Sequence, residues 1–279
     1  MLSEPQLPPF DGVRLATTKD LPRIATVAAA GFFWSPTFRF QRPYYAQYPT
    51  DTILSYQKEY HSAILDPACI VLVAEDAPIE SETESVYEAL RVAPVYGHGK
   101  DASSRKVVVG VASIVIKPGS CYIGLFQTRT DPLEPCTVSK NLNRDQCPLQ
   151  NAIYNEATSP AKAKYLAGQM RLATLAVHPA YWRRGHATRL VSWCTRLADL
   201  EGVPVGISAA PMGATVAIKA GFEERELVRV KRTTVHEDPT PKDEPNVGDV
   251  ELWVAIRRPT GSPASNESAT STDSQESLP

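Results

Sequence analysis

The sequence predicts an α/β fold built on a central sheet, and three observations carry that expectation. Residues 69–74 (CIVLVA) and 107–116 (VVVGVASIVI) are continuous apolar, β-branched runs, the pattern of strands buried on both faces. Residues 21–29, 51–65 and 190–198 instead place their apolar side chains at helical spacing. A further apolar run, 170–177, passes through one short junction directly into the helix that begins near His186.

Each element follows in order. Residues 13–16 form a short strand. Thr18 or Asp20 caps the helix that follows, and Pro22 falls near its first turn, where a missing N–H does no harm. Leu21, Ile24, Ala25, Ala28 and Ala29 are its apolar face. Residues 32–48 (FFWSPTFRFQRPYYAQY) are dense in aromatics, with Pro36 and Pro43 limiting regular helix. A second helix spans 51–65, with Thr52 as a cap. Glu75 and Asp76 end the strand at 69–74; a carboxylate there is either solvated or a general base. Residues 77–106 are a polar insertion in which Ser81 and Glu84 make a capping box ahead of one short helix. Gly110 within the next strand marks a bulge or a close backbone approach. A second insertion, 117–168, holds five prolines, with short helices expected at 150–157 and 160–167. Strands follow at 203–208, 223–235 and 250–256, the last two joined by a turn-rich connector at 238–248. Residues 259–279 are rich in Ser, Thr and Pro and read as a disordered tail, leaving one domain at 1–258.

Composition narrows the function classes. The formal net charge is -2 and the pI about 6.2, so no strong basic field suggests nucleic acid. The five cysteines are scattered with no CxxC pair, which points to free thiols and no metal site. The first residues lack the basic start and apolar core of a secretory signal, and no apolar run approaches the roughly 20 residues of a membrane span. The expectation is a soluble cytoplasmic protein.

The chemistry concentrates between strand and helix, at Tyr181-Trp-Arg-Arg-Gly-His-Ala-Thr188. A helix start offers unpaired N–H groups and partial positive charge, so it holds anions. Gly185 lets main chain approach a phosphate, Ala187 keeps the next position small, Thr188 adds a hydroxyl, and Arg183 and Arg184 add charge. The junction reads as a pyrophosphate cradle, or as an ordinary turn with solvated arginines.

The run 175–191 resembles the acyl-CoA-binding motif of the GNAT superfamily of N-acetyltransferases. That family carries an apolar-x-Val-x-Pro strand end, then Arg/Gln-x-x-Gly-x-Gly/Ala at a helix start. Gly185 and Ala187 match, whereas Trp182 stands where Arg or Gln is usual. The segment 209–222 resembles the family's next helix, closing in Lys219, Gly221 and Phe222. Ala217 stands where many members carry the Tyr that protonates the departing thiolate.

The resemblance implies a GNAT fold, with a mixed, mostly antiparallel sheet flanked by helices. It implies acetyl-CoA as donor and the amine of a small molecule or peptide as acceptor. It places Leu175, Ala176 and Val177 at the thioester and pantetheine arm. Trp182, Arg183, Arg184, Gly185, His186, Ala187 and Thr188 fall at the pyrophosphate, with His186 at the surface or on phosphate. Trp34, Phe38, Tyr44 and Tyr45 either pack or wall the acceptor; the length of the second insertion makes Tyr154, Glu156 and Tyr165 further candidates for acceptor contact. No base is assigned; Glu75, Glu156 and Ser208 are weak candidates. His178 titrates near neutrality by type, but the family turns this position away from the chemistry. The alternative is an acyl-CoA-binding module without transferase activity, motivated by Ala217. A Rossmann nucleotide fold is disfavoured, because the turn after the first strand, TTKDLP, lacks glycine.

Overall fold

A computed structural model describes residues 5–96, 105–127, 143–231 and 249–260. Seven strands form one sheet in the order β1-β2-β3-β4-β5-β7-β6. They are β1 (Val13–Leu15), β2 (Cys69–Asp76), β3 (Val107–Val115), β4 (Met170–Val177), β5 (Val205–Ala209), β6 (Glu223–Val230) and β7 (Val250–Arg257). Every pairing is antiparallel except β4 with β5.

The helices are α1 (Leu21–Phe32), α2 (Pro36–Gln41), α3 (Pro49–Leu65), α4 (Glu88–Arg91), α5 (Pro148–Leu166), α6 (His186–Glu201) and α7 (Pro211–Lys219). They cover both faces of the sheet. On one face Ile24, Val27 and Ala28 of α1 meet Tyr56 and Tyr60 of α3 and Val71, Val73 and Val111 of the sheet. On the other, Leu190, Cys194 and Leu197 of α6 meet Leu72, Ile114, Met170 and Val205. The α6 side chains recur every three or four residues, the periodicity of a one-sided apolar helix.

Several local expectations are corrected. Residues 150–157 and 160–167 belong to one helix, α5, which continues through Pro160. Pro160 is on the exposed side, where the forgone hydrogen bond faces water. Pro36 does not hinder helix but starts α2, sitting in its first turn where the missing donor is harmless. The capping box at Ser81 does not open an α-helix: Glu80–Ser85 is a 3₁₀ turn, and α4 follows separately. The expected strand 223–235 is β6 as far as Val230; residues 232–248, with the expected connector, lie outside the described residues, as do 97–104, 128–142 and the tail from 261.

Two irregularities position the site. Strand β2 slips against β3 between Ala74 and Glu75, leaving Val109 without a counterpart beside Gly110. Gly110 is also a close approach: a Cβ there would stand 3.2 Å from Leu190 and 3.3 Å from Val177. Strand β4 slips against β3 between Ser113 and Ile114, leaving Ala173 as an extra residue. Bulges bend a strand and re-aim its edge. Pairing of β4 with β5 ends at Leu172↔Ile207, immediately before that bulge.

Candidate active site

Past Leu172 the two parallel strands have no further pairing, so the facing edges of 173–177 of β4 and Ser208–Ala209 of β5 are not hydrogen-bonded to each other as a ladder. The hydroxyl of Thr174, next to the bulge, is fixed from three directions. Tyr60 Oη donates to it at 3.0 Å, the Ser113 N–H donates at 3.1 Å, and Ser113 Oγ lies 2.7 Å away. Leu175 turns to the opposite face and packs in the cluster that holds Ile207, Ala209 and Ala217. Ala176 packs beneath α1. The end of β4 is therefore held on both faces while its β5-facing edge has no strand partner.

The junction after β4 has the backbone of an anion cradle. Arg183 and Gly185 both take left-handed conformations, with φ of 62° and 83°. Such angles favour glycine, and a non-glycine residue there is held by its surroundings. Gly185 is the N-cap of α6, and a Cβ added to it would meet no heavy atom within 4 Å. The first intrahelical bond that closes the turn is from the Arg189 N–H to the Gly185 carbonyl, 3.0 Å. The N–H groups of His186, Ala187 and Thr188 therefore lie in the first turn, where donors have no helical acceptor. The side chains of Arg183, Arg184 and Thr188 are exposed beside them.

His186 is not a surface residue. It is 3 % exposed, and its Nε2 lies 3.0 Å from Asp76 Oδ2 at the end of β2. The same oxygen accepts from Arg184 Nη1 at 3.2 Å. Burial alone would raise the Asp76 pKa. The Ala77 N–H, Arg184 and His186 outweigh it and hold the carboxylate below its usual range. Asp76 thus braces the cradle from a strand 110 positions away in sequence.

Trp182 is committed to the protein. Its Nε1–H donates to the Val177 carbonyl at 2.7 Å, and its ring meets Trp34 edge-on at 6.0 Å. Beneath the junction lies a buried ionic group. Arg23 of α1 donates to both oxygens of Glu82 at 2.7 and 3.0 Å, and to the Val108 carbonyl. Tyr181 Oη donates to Glu82 at 2.9 Å and accepts the Ile79 N–H. Burial, with Glu82 beside it, pushes the Tyr181 phenol up to about 12. His178 is fully buried; its Nδ1 accepts the Ala180 N–H, and its Nε2 lies 3.5 Å from Glu82. This group ties the first insertion to the turn that precedes the cradle.

The other candidates scatter. Glu75 is ion-paired with Arg14 at 2.7 Å, and Glu156 is exposed on α5. Ser208 is half-buried at the unpaired edge of β5. Trp34 is 47 % exposed at the α1–α2 turn, beside the cradle's Trp182, while Phe38 and Tyr45 are buried with Phe33 and Tyr87. Tyr44 is half-buried, its N–H bonded to the Asp145 carbonyl. Tyr154 packs with Phe40, Val230 and Leu252. Tyr165 lines a cavity of about 470 Å³ with Gln169, Gly202 and Ile256. That cavity sits where β4 begins. The cradle follows the end of this eight-residue strand, about 25 Å further along.

No family model matches the chain. An acetyltransferase of Stachybotrys chartarum is 30% identical over 221 residues, covering 78% of this chain and 83% of that protein. Among solved structures, a histone acetyltransferase HPA2-related acetyltransferase of Corynebacterium glutamicum has a TM-score of 0.45 at 14% identity, covering 90% of this chain and 97% of the other. A mosquito arylalkylamine N-acetyltransferase-like protein has a TM-score of 0.46 at 14% identity, covering 88% and 98%. The sequence relative establishes the family: the chain belongs to the acetyltransferases.

Proposed function

We propose that the chain transfers an acetyl group from acetyl-CoA to the amine of a small molecule or peptide, at the splayed edges of β4 and β5. The observation that carries this reading is the conjunction of the Ala173 bulge, the end of β4–β5 pairing at Leu172, and the left-handed cradle at Arg183–Gly185. The cradle holds the pyrophosphate on the N–H groups of the α6 first turn. The pantetheine arm runs between these edges beside Leu175, Ala176 and Val177. Backbone N–H groups on the open edge of β4 stabilise the carbonyl oxygen as the tetrahedral intermediate gains charge. A neutral amine attacks the carbonyl carbon, an N–C bond forms, and the C–S bond breaks. The proton lost by nitrogen and the proton gained by thiolate are exchanged with water, because Ala217 supplies no acid.

The acceptor enters from the α1–α2 side, where Trp34 offers an exposed ring backed by Phe33, Phe38 and Tyr45. That aromatic wall favours an amine with an apolar body. The test is thiol release from acetyl-CoA across a panel of arylalkylamines, polyamines and amino-terminal peptides, with the acetylated product identified by mass. An N-acetyl product from any class supports the reading. Tight acetyl-CoA binding with no product across the whole panel would leave only a binding module.

A further inference from the structure

The turn between β4 and the cradle is held at both ends by one carboxylate from a distant segment. Glu82 lies in the 3₁₀ turn Glu80–Ser85, between β2 and β3, and is fully buried. His178, the residue after β4, brings Nε2 to 3.5 Å from it. Tyr181, the residue before Trp182, donates its phenol proton to it at 2.9 Å. The Ala180 N–H occupies His178 Nδ1, so a neutral ring carries its proton on Nε2, toward Glu82. Arg23 balances the charge, with both terminal nitrogens on the carboxylate and Nε on the Val108 carbonyl. A buried carboxylate matched in this way is a fixed anchor.

The cradle thus has two supports. Its own shape rests on α6 and Asp76: the Arg189 N–H closes the first turn on Gly185, and Asp76 holds His186 and Arg184. Its placement against β4 rests on the Glu82 group. The His178 N–H donates to the Val109 carbonyl at 2.8 Å, which ties the strand end to β3. Tyr181 Oη also accepts the Ile79 N–H, and the ring packs with Val109, Val177 and Ala187. The phenol is therefore fixed between the end of β4 and the first turn of α6.

We propose that Glu82, acting through Tyr181 and His178, is a positioning residue that sets the distance between the cradle and the unpaired edge of β4. This rests on the reading above, in which one acetyl-CoA molecule engages both places. A ligand that bridges two places loses affinity when their separation is wrong, whereas a ligand confined to one of them does not. The experiment is calorimetric titration of wild type, Tyr181→Phe, Glu82→Asp and the double variant with two probes. One is acetyl-CoA; the other is adenosine diphosphate, which carries the pyrophosphate without the pantetheine arm. Tyr181→Phe keeps the ring, with the Arg184 guanidinium 5.5 Å from its centre, and removes only the hydroxyl. Glu82→Asp keeps a charge for Arg23 but shortens the reach by one methylene, so it decides the matter should Tyr181→Phe fail to fold. Each folded single variant should bind acetyl-CoA about fivefold to tenfold more weakly while holding adenosine diphosphate within about twofold. The double variant should lose no more than the larger single loss, because both changes break one link. Equal losses for the two probes would make the group merely structural and overturn the proposal, as would additive losses in the double variant. Variants that match a wild type binding both probes overturn this proposal alone. Wild type that binds neither probe overturns the cradle reading and this proposal with it.

Discussion

The indole N–H of Trp182 donates to the carbonyl of Val177 at 2.7 Å, joining the cradle to the last residue of the strand that precedes it. In the family motif this position carries Arg or Gln, so a group expected to reach outward here turns inward. The bond fixes the angle between strand end and cradle. Trp182→Phe keeps the packing against Trp34 and loses the donor. It should cost about 1 kcal/mol in a urea titration, because the Val177 carbonyl loses its partner. Acetyl-CoA affinity should fall severalfold. Unchanged stability and affinity would mean that the bond positions nothing.

Gly31 of α1 approaches the same carbonyl from the other side. A Cβ at Gly31 would stand 2.8 Å from Val177 O and 3.3 Å from Val177 N, both main-chain atoms that cannot turn aside. Gly31→Ala should therefore destabilise the fold by roughly 1–3 kcal/mol, the range of overpacked sites. It should also raise the KM for acetyl-CoA, since α1 is pushed from β4. A melting temperature equal to that of wild type would show that α1 shifts without cost.

Ala217 is 4 % exposed and packs with Ile207, while Leu175 and Ala209 border the same cluster. If the reaction passes this point, Ala217→Tyr should change kcat while the affinity for acetyl-CoA stays within about twofold. A folded variant with unaltered kcat would count against placing the sulfur near α7.

Acid should weaken the fold through Asp20, Asp76 and Asp199. In each, burial opposes ionisation, but hydrogen bonds from Arg14, from Ala77 N–H with Arg184 and His186, and from Arg257 outweigh it and lower the pKa. A carboxylate with a lowered folded pKa contributes fully above its unfolded value of about 3.9. The contribution is lost as pH falls through the lower folded values. Urea midpoints should thus hold steady from about pH 7 to 5 and drop steeply below about pH 4. Asp199→Asn should lower the neutral-pH midpoint and shrink the acid loss. An equal acid loss in that variant would remove the Asp199–Arg257 pair from the account.

What the sequence made legible was local. Gly185, Ala187 and the strand before them are contiguous, so their spacing alone suggested both cradle and family. The switch from β4 to α6 is likewise a change of period within one stretch. The brace on His186 could not be read this way, because its partner Asp76 lies 110 positions earlier and looked like a solvated strand end. The aromatic segment 32–48 was ambiguous for a related reason. Burial of Phe38 and Tyr45, with Trp34 exposed, depends on Tyr87 packing in from a distant insertion. The bulge at Ala173 leaves no mark in an apolar run, since only pairing against β3 reveals the extra residue.

The most direct test of the central claim is calorimetric titration of the protein with acetyl-CoA beside a Gly185→Glu variant. Gly185 has open space around it, so the added carboxylate would sit in the cradle and repel the pyrophosphate. The account predicts micromolar binding by wild type and at least a tenfold loss in a variant that remains folded by circular dichroism. No binding by folded wild type, or equal binding by both proteins, would contradict it.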